Sequence, residues 1–152
     1  MKPSTILLAG LALIAGARAA AAQAAGSEHT IPAARVPAAV KSAFHRAYPN
    51  AVVRRYSTEV ENGKTIYEVE SSEGATKRDL DISPEGQILE VETQVTAAQL
   101  PAAVRTAAES GGAHIQTAEL VVAGADTTYE LKIRGRRGEL KLRSNGQPAA
   151  SH

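Results

Sequence analysis

The chain has no cysteine, no tryptophan, one methionine and one phenylalanine in 152 residues. Without cysteine there is no disulfide framework, no thiol nucleophile, no thiolate metal site and no cysteine for lipid attachment. Phe44 and four tyrosines offer no platform on which single-stranded nucleic acid could stack. Long apolar runs are also missing. The strongest, residues 6–14 (ILLAGLALI), falls well short of the ~20 residues a membrane-spanning helix needs. Neither sign of charge dominates, with 17 basic and 16 acidic side chains, so the bulk charge argues against a nucleic-acid partner.

What is present first is an export signal. Lys2 supplies a positive start, residues 6–14 the apolar stretch, and Ala17-Arg18-Ala19 and Ala20-Ala21-Ala22 two small-x-small cleavage sites. Residues 1–22 are therefore expected to be a cleaved signal peptide and the product periplasmic or secreted, with no membrane span. Loss of Lys2 and Arg18 leaves 15 basic against 16 acidic residues, a net charge of −1. The remaining 130 residues are the size of one ordinary domain.

The remainder says the same thing twice. Val36-Pro37-Ala38-Ala39-Val40-Lys41-Ser42-Ala43 returns as Leu100-Pro101-Ala102-Ala103-Val104-Arg105-Thr106-Ala107. Tyr67-Glu68-Val69 returns as Tyr129-Glu130-Leu131, and Leu80-Asp81-Ile82 ahead of Gly86-Gln87 returns as Leu140-Lys141-Leu142 ahead of Gly146-Gln147. The offset shrinks from 64 to 62 to 60, so only loop lengths differ. A period of this size marks one duplicated supersecondary unit.

Each copy reads as a helix followed by a meander of short strands. Val36, Val40, Ala43, Phe44 and Ala47 fall on one helical face, with Pro37 in the first turn and Pro49 as the stop. Leu100, Val104, Ala107 and Ala108 repeat that face, ending at Gly111-Gly112. Strands are expected over 52–60, 65–70, 77–82 and 87–92, with an Asn62-Gly63 hairpin turn and Leu80 and Ile82 inward. The second copy predicts strands over 115–122, 128–134 and 139–143. After Gly146 the chain reads Gln147-Pro148-Ala149-Ala150-Ser151-His152, a poor strand. The last strand is then either an ordinary edge guarded by Lys141 and Arg143 or a docking edge for a partner's strand. The expected organisation is a flexible lead over 23–35, one domain over 36–147 with copies at 36–92 and 100–147, and a tail over 148–152.

No catalytic constellation emerges. His29, His45, His114 and His152 lack metal-ligand spacing, no serine sits in a nucleophile elbow, and the glycines are spaced as turns. Tyr67 and Tyr129 recur at equivalent places, which argues for paired core positions with wet hydroxyls. Asp79 and Asp81 lie two apart on one strand, able to hold a cation or simply to line its exposed side. Charge is uneven: residues 59–92 carry ten acids, whereas 131–143 carry Lys132, Arg134, Arg136, Arg137, Lys141 and Arg143 against Glu139. That is either a solvated face or a polarised sheet that steers a charged partner.

The pattern Val36 to Pro49, Asn62-Gly63, Tyr67-Glu68-Val69 and Leu80-x-Ile82-x-Pro84-x-Gly86-x-Ile88 resembles the PepSY-like proteins, small exported proteins similar in fold to the β-lactamase-inhibitor protein. The resemblance covers residues 36–146 and implies an α+β fold, with both helices on one face of a single antiparallel sheet and the other face open. It also implies a link to the inhibition of secreted peptidases, and it carries no catalytic or binding motif to transfer. Its second copy lacks Phe44's counterpart, the Tyr-Pro stop and the last strand. The resulting expectation is a non-enzymatic binding module with no cofactor and a protein partner. Lys132, Arg134, Arg136, Arg137, Lys141 and Arg143 are the candidate contacts. The alternative is a carrier of a small ligand or metal ion through Asp79 and Asp81.

Overall fold

The computed structural model describes residues 28–149; the expected signal peptide lies outside them. The first helix, α1, is Ala38–Ala47, and the second, α2, is Ala102–Ala108. Eight strands surround them in the chain: β1 His29–Thr30, β2 Val52–Glu61, β3 Lys64–Glu73, β4 Thr76–Ile82, β5 Ile88–Val95, β6 Ile115–Ala123, β7 Asp126–Ile133 and β8 Glu139–Arg143. They form one antiparallel sheet whose spatial order is the sequence order. Every connection is thus a neighbour-to-neighbour return. The helix-then-meander order follows from the change of apolar period, from helical spacing in Val36, Val40 and Phe44 to alternation in Val69, Leu80 and Ile82.

Alternation sends one side of each strand to the helices. Val36, Val40, Ala43 and Phe44 pack with Val69, Leu80 and Ile82 in a first core; Leu100, Val104 and Ala108 pack with Ala118, Leu131, Ile133 and Leu142 in a second. Tyr67 borders the first core and Tyr129 the second, equivalent places as their repeat suggested, but both are half-buried at the margin rather than core positions. Ala47, placed on the helix face by its spacing, is exposed. Because α2 carries Ala108 where α1 carries Phe44, the second core has no aromatic anchor from its helix.

Both helices start at proline, with Pro37 and Pro101 standing just outside as caps rather than inside the first turn. Their carbonyls accept from Lys41 and Arg105 at 3.2 and 3.0 Å. A turn of 3-10 helix precedes each, Ala33–Arg35 and Ala97–Gln99. The two sequence copies also share a β-bulge, between Val53 and Arg55 on β2 and between Ile115 and Thr117 on β6. Asn62 and Gly63 both adopt positive φ, 50° and 76°, as a two-residue type I′ hairpin turn requires.

Three expectations change. The described part of the lead over 23–35 pairs with the sheet. His29 and Thr30 pair with Thr58 and Ser57, and the Ile31 N–H donates to the Tyr56 carbonyl at 2.9 Å. That pairing gives β2 an outer neighbour and brings the strand count to eight. The tail is not free either: Pro148 bridges to Leu142, and the Ala149 N–H donates to the Lys141 carbonyl at 3.0 Å. It therefore covers part of the β8 edge, which had been read as open. Third, the stop at Gly111-Gly112 belongs to a further 3-10 turn, Ser110–Gly112, in which both glycines adopt positive φ.

Two glycines hold the sheet against its helices. A Cβ on Gly86 would sit 2.8 Å from the Ala39 carbonyl oxygen, and one on Gly146 would sit 2.6 Å from that of Ala103. Both residues also have positive φ, 87° and 78°. The β4–β5 turn and the turn after β8 thus rest directly on the first turn of their helices. Gly86→Ala and Gly146→Ala should each cost about 2 kcal/mol or more, from backbone strain plus displacement of the helix. Gly124→Ala, with positive φ but open space around it, should cost about 1 kcal/mol. Urea denaturation of the three variants checks the order.

Candidate functional site

Packing both helices on one side leaves the other side of the sheet to solvent among the described residues. The alternation that buries Val69, Leu80 and Ile82 points Glu68, Glu70, Asp79 and Asp81 the opposite way. Register then aligns them. Glu68 lies opposite Asp81, which lies opposite Glu90; Glu70 lies opposite Asp79, which lies opposite Glu92. Two parallel rows of three carboxylates cross β3, β4 and β5, and all six are half-buried. Directly opposed side chains in a sheet have Cβ atoms ~5 Å apart, and like charges there are destabilising.

The chemistry responds. Burial, reinforced by Glu90, Glu59, Glu68 and Glu61, pushes the Asp81 carboxyl up to about 7. Burial, with Glu119, Glu130, Glu90 and Asp79 adding to it, pushes Glu92 up to about 8. Burial also raises Glu68, although a hydrogen bond from the Ser57 hydroxyl at 2.9 Å opposes it. Asp79, Glu119 and Glu59 are raised by burial and acidic neighbours as well. A depression of about 230 Å³ over these rows is lined by carboxylate residues alone. Beside it, a wider groove of about 710 Å³ is lined by Glu70, Asp79, Glu92 and Glu119 together with Arg54 and Lys77.

At the β2 end of the rows Arg55 closes the charge. Its guanidinium donates to Glu70 and pairs with Glu28 at 2.7 Å. Glu28, Glu68 and Glu70 bring carboxylate oxygens within 4.8 Å of one another, a spacing that could surround a metal ion. Arg55 already supplies the positive charge at two of the three. Asp79 and Asp81 do share a face, as their spacing required, but each is flanked by acids of β3 and β5 rather than converging with the other.

The six candidate cations divide. Lys141 and Lys132 lie on the open face and are engaged within the sheet, Lys141 with Glu130 at 2.6 Å and Lys132 with Glu139 at 3.3 Å. Arg143 ends β8 on the same face; Arg134, Arg136 and Arg137 occupy the β7–β8 turn. These four arginines are exposed and make no ion pair among the described residues. The sequence pattern singled out the cations and, of the carboxylates, only Asp79 and Asp81. The half-buried rows were missed because their alignment depends on register between strands. The signal available was the run of acids at alternating positions, 68, 70, 79, 81, 90 and 92.

No arrangement for nucleophilic catalysis is assembled among the described residues. Ser57, bonded to Glu68, is 1 % exposed and out of reach of a substrate. Ser71, also buried, donates to the Arg78 carbonyl. His29, His45 and His114 are exposed and lie on β1, on α1 and just ahead of β6.

The family model described as "Putative beta-lactamase-inhibitor-like, PepSY-like" matches residues 24–90 and again 74–148. The chain belongs to this PepSY-like family. Its fold is similar to that of a BLIP-like protein from Bacteroides fragilis, with a TM-score of 0.60 at 18 % identity over 79 % of this chain and 85 % of that one. It is also similar to a "putative periplasmic" protein from Bacteroides eggerthii, with a TM-score of 0.63 at 15 % identity over 76 % and 86 % of the two chains. No curated protein matches the sequence. The two family matches overlap over residues 74–90, and the fold they accompany is an α+β arrangement with one eight-stranded antiparallel sheet. No helix among the described residues is long and apolar enough to cross a membrane.

The raised carboxylates of this PepSY-like domain fix the sign of its pH response. The folded state holds protons on Asp81 and Glu92 at pH values where the unfolded chain has released them, so stability increases as pH falls. The increase runs from above about 8, through the folded values of Glu92 and Asp81, to about 4, where the unfolded carboxyls also protonate. Asp81→Asn should raise the urea midpoint at pH 8.5 and flatten the dependence below it. A midpoint that falls between pH 8.5 and 5.5 in the parent protein contradicts this account.

Proposed function

We propose that the chain is an exported, non-enzymatic binding module, a tandem duplication of one helix-plus-meander unit that engages another protein through its uncovered sheet face. The observation that carries this reading is that face itself. It is uncovered and half-buried, and it is polarised between the carboxylate rows of β3 to β5 and the free arginines of the β7–β8 end. Such a field orients a partner and speeds its encounter more than it adds affinity. The leader-like start of the sequence and the periplasmic relative support export. The inhibitor-like family description supports a protein partner, and restraint of a secreted peptidase or cell-envelope protein is the role it suggests. Arg134, Arg136, Arg137 and Arg143 would meet acidic groups of that partner. Lys132 and Lys141 contribute less, since each already has a carboxylate within the sheet.

An ion-carrier reading has one observation in its favour, the convergence of Glu28, Glu68 and Glu70. Arg55 stands against it, because its guanidinium already serves that cluster.

Capture from periplasmic extract on the mature chain from Gln23, at low and high salt, tests the reading. One dominant exported protein, released by salt, is expected. The fourfold change of Arg134, Arg136, Arg137 and Arg143 to serine should slow its association about tenfold at low salt and leave the melting temperature unchanged. An empty lane sinks the protein-binding reading. Unchanged association by the variant removes the arginines from it.

A further inference from the structure

The duplicated sequence supplies its own comparison. Matching Tyr67 with Tyr129 and Leu80 with Leu140 makes Glu68 equivalent to Glu130, Glu70 to Lys132, Asp79 to Glu139 and Asp81 to Lys141. Strand register agrees at every point. β3 and β4 oppose Glu68 with Asp81 and Glu70 with Asp79; β7 and β8 oppose Glu130 with Lys141 and Lys132 with Glu139. In the second copy both cross-strand pairs are of opposite charge, and both close as ion pairs. In the first copy both are of like charge, and β5 adds Glu90 and Glu92 to the same two rows. The two cross-strand pairs carry their own cation in the second copy and none in the first, where Arg55 of β2 ion-pairs with Glu70 alone among the six row carboxylates.

Little within the sheet offsets this. Arg55 is committed to Glu28 and Glu70 at the β2 end, and Lys77 stands exposed beside Asp79 on the middle strand. Lys141, ion-paired with Glu130, attracts Glu90 and Glu92 without pairing with either. Opposed carboxylates in a half-buried site cost stability unless positive charge reaches them. The rows run parallel across three strands, a layout suited to several cationic side chains carried on one backbone. A single chelated ion needs ligands that converge on a point, and the one such point among the described residues holds Arg55.

We infer that the first copy receives from a partner the cations that the second copy carries itself. The rows Glu68–Asp81–Glu90 and Glu70–Asp79–Glu92 dock a lysine- or arginine-bearing segment of a partner protein, whose charged groups take the places that Lys141 and Lys132 take on β8 and β7. This rests on the binding-module reading and names the chemistry of the partner.

The test uses the mature chain and a fluorescein-labelled octapeptide of four Gly-Lys repeats, followed by anisotropy at low ionic strength. Saturable binding is expected. Asp79→Lys/Asp81→Lys sets a lysine between two carboxylates in each row and so gives the first copy the opposite-charge cross-strand pairs of the second. It should weaken the peptide at least about tenfold and raise the melting temperature. Asp79→Asn/Asp81→Asn, nearly isosteric, should weaken it in the same direction and guards against misfolding of the first variant. Glu85→Lys/Glu109→Lys makes the same change in net charge at exposed positions off the rows and should bind within about twofold of the parent. Absence of saturable binding overturns the inference, as does retention of the peptide by both row variants or equal weakening by the off-row control. Saturable binding of calcium chloride in place of the peptide also overturns it, in favour of an ion. The two readings separate in the capture experiment: a periplasmic protein held equally by the parent and by Asp79→Lys/Asp81→Lys overturns this inference and leaves the binding-module reading standing.

Discussion

A β-strand cannot bury one side chain without turning its neighbours the other way, and that constraint organises this molecule. Val69, Leu80, Ile82, Leu131 and Leu142 are drawn to the helices because burial of each apolar side chain contributes ~1.5–3 kcal/mol. Glu68, Glu70, Asp79, Asp81, Glu130 and Lys141 are thereby placed on the opposite face. Two helices of ten and seven residues cover one side of an eight-stranded sheet, and no helix among the described residues covers the other. The charged face is the geometric complement of the core.

Each helix is seated locally. The turns at Gly86 and Gly146 approach the first helical turn closely enough to leave no room for a Cβ, and proline caps fix where each helix begins. The two cores remain separate clusters, with Val91 of β5 against the first and Val95 of the same strand against the second. The halves therefore communicate mainly through backbone hydrogen bonds of β5 and β6. Such an arrangement lets the outer face diverge between copies while the inner face stays the same. Leu80 and Leu140 do one job; Asp81 and Lys141 do opposite ones.

Much of the architecture was legible beforehand, since apolar periodicity, turn glycines and helix-start prolines are local signals. The helix faces, the Asn62-Gly63 hairpin and the inward Leu80 and Ile82 needed only neighbouring residues to be read. The strand at His29–Thr30 was not legible, because two polar residues carry no alternation and depend on the edge of β2 for their pairing. Residues Gln147 to Ala149 read as a poor strand for the same reason, and they are tied to β8 by two backbone contacts that no propensity announces.

The sequence by itself determined the repeat, the fold class, the absence of thiol chemistry and the imbalance of charge between the two copies, because these follow from composition and spacing along one chain. Tertiary structure alone decided which charges meet. Register across β3, β4 and β5 aligned six carboxylates into rows, where burial and acidic neighbours raise Glu68, Asp79, Asp81 and Glu92, while register across β7 and β8 consumed Lys132 and Lys141 in ion pairs. Pairing between strands distant in sequence is a property of three-dimensional alignment, and a charge acquires its chemistry from the neighbour that alignment sets opposite it.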